Sequence, residues 1–211
     1  MFDDTRLALF LVTAFVILVT PGPAVLYIVA RSVDQGRLAG IVSTFGVGLG
    51  ALVHVAAAAF GVSALLAASA AAFAILKYAG AAYLVYLGIR RLMDKEPVSR
   101  RAQGRPQPLS RIFWQGVVVN VLNPKTALFF LAFLPQFIDV SLGRATLQML
   151  SLGVIYVAMG LLSDGTWALL AGSAGKWLKE HVGVLRIQRY VTGSVFIGLG
   201  VAMAASGEGR K

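Results

Sequence analysis

The chain has 211 residues and no cysteine; 58% of it is hydrophobic, 13% is charged, and its net charge is +10. Soluble domains carry roughly 25% charged residues, so composition excludes an ordinary soluble domain, and the missing thiols exclude disulfides, thiolate metal sites and thiol redox relays. Six apolar stretches, each long enough to cross a hydrocarbon core of about 30 Å, predict an all-α integral membrane protein, one transmembrane domain over residues 1–211.

The spans are read near Leu7–Ala30, Leu38–Leu66, Ala71–Gly88, Ile112–Leu134, Thr146–Ala171 and Val184–Ala205. The leader Met1–Arg6 lacks a basic run, and no small-residue cleavage site closes a short apolar core. The first span is therefore expected to stay as a helix. About 14 residues into it lies Thr20-Pro21-Gly22-Pro23. A proline inside a helix deletes a backbone hydrogen bond and clashes with the preceding turn, costing about 3 kcal/mol. In hydrocarbon the freed carbonyls have no water to turn to, so such a break persists only where protein or a wet cavity covers it. The carbonyls of Ile17, Leu18 and Val19 are the expected acceptors for an amine or cation; a plain kink is the alternative. Tyr27 follows the break within reach of such a ligand. Arg31, Asp34 and Arg37 form the short first connection and anchor the helix end.

The second span holds Gly46, Gly48, Gly50 and Gly61. Gly46 and Gly50 make a small-xxx-small pair, read as close helix packing, with a bare-backbone substrate path as the lesser reading. His54 either titrates or packs with a hydrogen bond. In the third span Lys77 sits near the outer start and snorkels. Asp94–Ser110, rich in charge, proline and glutamine without apolar period, reads as a flexible loop joining halves 1–93 and 111–211.

The fourth span contains the second break, Asn123-Pro124-Lys125. Lys125 is about 13 residues in, or about 20 Å at 1.5 Å per residue, where a lysine costs about 3 kcal/mol on insertion scales. Pro124 frees carbonyls, Asn120 and Asn123 offer amides, and the second half-helix presents its amide end to a carboxylate. Snorkelling to a displaced boundary is the alternative for Lys125. In the fifth span Asp164 lies about 18 residues in, between Ser163 and Gly165. Low dielectric disfavours a charged carboxylate and suits it to take up and release a proton near neutral pH. It serves as proton carrier or as counter-ion for an ammonium; pairing with Lys125 alone, or helix capping, is the bland alternative.

The halves look related. Lys77-Tyr78 with Leu87-Gly88-Ile89 aligns without gaps with Arg189-Tyr190 and Leu199-Gly200-Val201, and Pro23 falls opposite Pro124. Three helices per half force opposite orientations, so the expected fold is six transmembrane helices as a 3+3 inverted repeat with broken helices one and four, its site near the midplane. Chance alignment of apolar helices is the competing explanation. Thirteen Lys and Arg fall in the odd connections: Arg31 and Arg37, seven within 90–111, and four within 172–190. Arg6, Arg144, Arg210 and Lys211 fall on the other side. Positive charge is retained in the cytoplasm, so loops 31–37, 90–111 and 172–190 are expected inside and both termini outside. The basic surface is a topology signal and a contact for anionic lipid heads, not for nucleic acid.

No HExxH pair, GxSxG elbow or GxxxxGK[ST] loop occurs. No enzyme activity and no cofactor or metal is implied, and transport would have to draw on an ion gradient. These residues resemble the LysE/RhtB family of amino-acid exporters over essentially the whole chain. The resemblance rests on Thr20-Pro21-Gly22-Pro23, Gly46 through Gly50 to His54, Leu76 through Gly88, Gly116 through Asn120 to Lys125, Phe133-Leu134-Pro135-Gln136-Phe137, and Asp164. It implies a small bacterial inner-membrane homodimer that exports amino acids or their derivatives in exchange for protons. The site it implies is Pro21, Gly22, Pro23, Asn123, Pro124 and Lys125 with Asp164 nearby; the residue-level reading gives Asp164 the proton coupling. A non-transporting membrane scaffold and a metal-ion exporter are the rival readings; a single intramembrane carboxylate and no thiols disfavour the second.

Overall fold

Proline and glycine punctuate the helices of this chain, and its computed structural model shows where each one acts. It describes residues 4–62, 70–93 and 106–173, with isolated positions 190, 194, 197, 198, 200, 201 and 204. Helix α1 (Asp4–Val19) stops at the first proline, and α2 (Pro23–Gln35) starts on the second, bent 47° away. Proline at the first helical position wastes no hydrogen bond, because that N–H would be unpaired anyway. Helix α3 (Arg37–Ala57) runs on through a wider π-type turn, Ala58–Val62. Helix α4 (Ala70–Met93) covers the third predicted span.

Helix α5 (Leu109–Val121) and α6 (Pro124–Leu128) meet at the second break with a bend of 48°. After α6 the chain widens to a π-type turn, Phe129–Phe133, then tightens to a 3₁₀ turn, Leu134–Phe137. Pro135 supplies no N–H to the Leu131 carbonyl, so a regular α-helix cannot continue there. A second 3₁₀ turn, Val140–Leu142, leads into α7 (Ala145–Ser173), long and apolar enough to cross a membrane, as is Arg37–Gly61. Each bent pair also passes as one broken span, so the described residues hold two to four helical segments long and apolar enough to cross a membrane. The predicted sixth span, Val184–Ala205, falls outside the described residues apart from isolated positions. So do residues 94–105 of the connection.

One boundary differs from expectation. The first connection was read as residues 31–37, yet α2 continues through Gln35, and Gly36 alone makes the turn. Nothing before Gly36 breaks the helix, and Gly36 takes φ +87°, a backbone region that favours glycine. The far end of the 94–110 connection is also tied down. Gln35 Nε2 donates to the Gln107 carbonyl and Gln107 N–H donates back to Gln35 Oε1, both at 2.9 Å.

Helix α3 is central, packed on α5, α7 and α2, while α1 lies against α7. Gly46, Gly50 and Gly116 let the α3 and α5 backbones touch. A Cβ on Gly50 would sit 2.7 Å from the Val117 carbonyl oxygen, and one on Gly116 would sit 2.9 Å from that of Ser43. The close-packing reading of this glycine pair holds. An aromatic cluster of Phe10, Phe129, Phe130 and Tyr156 joins α1, α7 and the turn after α6, with Phe129 stacked on Tyr156 at 4.2 Å. Outward faces carry Phe15, Leu52, Phe60 and Leu162 exposed, as a helix facing lipid requires.

Candidate functional site

Each break leaves backbone groups that need new partners. At the first, Thr20 closes α1 with both its N–H (3.1 Å) and its hydroxyl (2.6 Å) on the Val16 carbonyl. Gly22 is the N-cap of α2, and its carbonyl accepts from Leu26 N–H at 2.9 Å. At the second, Asn123 caps α6: its side-chain oxygen accepts from Lys125 N–H at 3.1 Å. Pro124 has no N–H for the Asn120 carbonyl. That oxygen instead accepts from Asn123 N–H and from His54 Nε2, each at 3.0 Å. Since a carbonyl only accepts, His54 carries its proton on Nε2. Its ring also stacks parallel on Phe130.

Asn120 is the hub of this region. It donates to the Val47 carbonyl of α3 at 2.7 Å and accepts from the Thr126 hydroxyl at 2.8 Å and from Asn123 Nδ2 at 3.3 Å. These three bonds all stay inside the protein, and Asn120, Asn123 and Thr126 are buried. Through Asn120 the network ties the start of α6 to α3.

The two breaks meet. Lys125 Nζ donates to the Thr20 carbonyl at 2.6 Å, and the lysine is only 7% exposed. Its stem runs over Gly22, where an added Cβ would come within 2.9 Å of Lys125 Cδ. Asp164, equally buried, comes from α7 and interacts electrostatically with Lys125. Both line a cavity of about 40 Å³ with Gly22, Asn120, Asn123 and Thr126. At about 10–15 Å³ per water on such a measure, it has room for a few waters.

Of the residues singled out from sequence, Gly22, Asn120, Asn123, Lys125 and Asp164 therefore line one cavity. Pro21, Pro23 and Pro124 shape the backbone around it without lining it. Sequence reasoning missed Thr20 as the acceptor, naming Ile17, Leu18 and Val19 instead, of which Leu18 lines the cavity. It also missed Thr126 and Tyr156. Tyr156, Gly160 and Asp164 follow at four-residue spacing, one face of α7, and all three line the cavity. That spacing was the available signal for Tyr156. Tyr27 lies away from this cavity, donating to the Ile112 carbonyl at 2.7 Å. The Lys77 side chain lies outside the described residues.

The family model described as LysE type translocator matches residues 15–207. A homoserine/homoserine lactone efflux protein of Salmonella typhimurium is 28% identical over 93% of this chain and 95% of its own length. A leucine efflux protein of an Enterobacter species is 30% identical over 93% of both chains. A membrane protein of Vibrio cholerae without a described activity is 29% identical over 93% of this chain and 95% of its own. No solved structure gives a significant match.

Proposed function

We propose an export cycle from a premise the family match supplies: this chain belongs to the LysE type translocator family. It is a secondary active exporter of amino acids or their derivatives across a bacterial inner membrane, working as a proton antiporter. The chain crosses six times as a 3+3 inverted repeat, with both termini outside, and acts as a homodimer. The paired bends of 47° and 48° at the heads of the two halves support the repeat.

The observation that carries this reading is the junction of two helix breaks around one buried cation and one buried carboxylate. Those charges match a zwitterion. The substrate carboxylate meets Lys125, and its ammonium meets the Thr20 carbonyl or Asp164, with Pro21, Gly22 and Pro23 shaping the first wall and Asn120, Asn123 and Pro124 the second. The ammonium of Lys125 now occupies the Thr20 oxygen, so substrate entry exchanges one ammonium for another at that acceptor. The cavity lacks room for a free amino acid, which makes this arrangement a closed state that must widen to load. Leu18, Val25, Val47 and Val157 supply apolar lining, which favours a small neutral side chain. The names of the homoserine and leucine efflux relatives point the same way.

Lys125→Met and Asp164→Asn should insert normally and lose export. The measurement is efflux of labelled leucine and homoserine from cells, with membrane levels of each variant checked in parallel. Wild-type efflux from both variants would remove this site assignment.

A further inference from the structure

A second opening lies between α2 and α5, away from the cavity around Lys125. It is an open groove of about 580 Å³ whose mouth is formed by Arg31, Ser110 and Arg111 and whose floor is Trp114, Val118 and Val119. We propose that this groove binds one anionic phospholipid, with its phosphate between Arg31 and Arg111 beside the Ser110 hydroxyl and an acyl chain along Trp114, Val118 and Val119.

The order of chemistry along the groove matches a lipid's own. From Ser110 to Val119 the helix rises about 14 Å at 1.5 Å per residue, passing from the Arg111 guanidinium to the Trp114 indole, beside which Gln115 receives Arg31, and then to valines. Trp114 is 61% exposed and Val118 is 55% exposed, so the apolar floor is open to an acyl chain. Indole rings favour the depth of lipid headgroups. Arg31 is already positioned: its guanidinium stands 5.4 Å from the centre of the Tyr27 ring and donates to Gln115 Oε1 at 3.3 Å. Tyr27 in turn is fixed on the Ile112 carbonyl. Among the described residues neither guanidinium is in an ion pair; that role falls to Arg6 and Asp139. Two guanidinium groups lining one groove, neither in an ion pair, suit an anion. A second copy of this chain placed here by two-fold symmetry would bring the same arginines together, and like charges across an interface disfavour it. A soluble anion would leave the apolar floor uncovered.

The test is native mass spectrometry of the full chain purified in mild detergent, offered phosphatidylglycerol and phosphatidylcholine at equal concentration. One phosphatidylglycerol per chain should be retained in preference to phosphatidylcholine. Arg111→Gln, at an exposed position, should weaken that retention about fivefold, the effect of one basic residue near a lipid surface, and Arg31→Gln with Arg111→Gln should weaken it further. Trp114→Ala should weaken it while leaving both arginines in place, which keeps the proposal testable where the double variant does not purify. Glycerol phosphate, the headgroup chemistry without a chain, should not displace the lipid. Equal retention of the two lipids, wild-type retention by Arg111→Gln and Trp114→Ala, or full displacement by glycerol phosphate would each overturn the proposal.

Discussion

Lys125 stands where a lysine is costly, and three neighbours make the position tenable: the Thr20 carbonyl, the Asp164 carboxylate and the bare backbone of Gly22 under its stem. Gly22 is the easiest of these to test. Gly22→Ala puts a methyl 2.9 Å from Lys125 Cδ, so the flexible lysine stem must shift and its bond to Thr20 is strained. A hydrogen bond to a charged group is worth about 1.5–3 kcal/mol, of which a strained bond loses part, so transport should fall by up to about tenfold while the protein still reaches the membrane. Labelled efflux normalised to membrane abundance reads this directly. His54 gives a second test, because it replaces the N–H that Pro124 lacks. His54→Phe keeps a ring over Phe130 and removes the donor; it should lower stability by about 1 kcal/mol, seen as a lower thermal midpoint in detergent. His54→Gln, which can still donate, should recover part of that loss. The two site charges were legible in the sequence because a Lys and an Asp inside apolar spans have few cheap explanations. Thr20 was not, because its contribution is a backbone oxygen, and its partner is 105 positions away. Thr126 and Tyr156 belong to residue types that any helix of this composition carries.

Breaks were the easiest elements to read, since proline acts through its own missing N–H and fixed φ, whatever surrounds it. Elements whose form depends on packing were harder. The π-type turn at Phe129–Phe133 accompanies an aromatic cluster assembled from α1 and α7, which no local pattern announces. The α3–α5 crossing is intermediate: the glycine spacing showed that a close contact exists but not which helix makes it. That contact is specific enough to break. A Cβ on Gly46 would overlap the Phe113 backbone oxygen, which cannot rotate away, so Gly46→Ala should destabilise by about 1–3 kcal/mol through overpacking. Gly61→Ala, with open space at its Cβ, is the matched control and should be silent. At the opposite end of the bundle Arg6 of α1 pairs with Asp139 at 2.9 Å. The Ser141 hydroxyl, foremost, and Arg6 hold the Asp139 carboxyl below the usual carboxylate range. A depressed carboxylate stabilises above its unfolded-state value and loses that contribution as pH falls through its folded value. Asp139→Asn should therefore lower the thermal midpoint slightly at neutral pH, and the difference should vanish in acid and shrink in high salt, as exposed pairs do.

At the scale of the whole molecule, the two broken spans, one heading each half of the chain, bend by nearly equal angles and lay their interruptions against each other. The class of the protein was legible from composition alone. The meeting of the breaks followed from pairing Pro23 with Pro124, whereas the depth and size of the cavity depend on α7 passing behind both, a packing detail that periodicity does not encode. In the proposed cycle Lys125 holds the substrate and Asp164 carries the proton, so the two roles separate experimentally. Liposomes with an acidic lumen should accumulate labelled substrate, as protons leaving drive its entry. Exchange of internal for external substrate needs binding and the conformational change but no net proton movement. Asp164→Asn, isosteric and permanently neutral, should therefore abolish accumulation and retain exchange at a substantial fraction of the wild-type rate. Lys125→Met should abolish both. If Asp164 instead grips the substrate ammonium, its Asn variant loses exchange together with accumulation, and the proton must travel by another group.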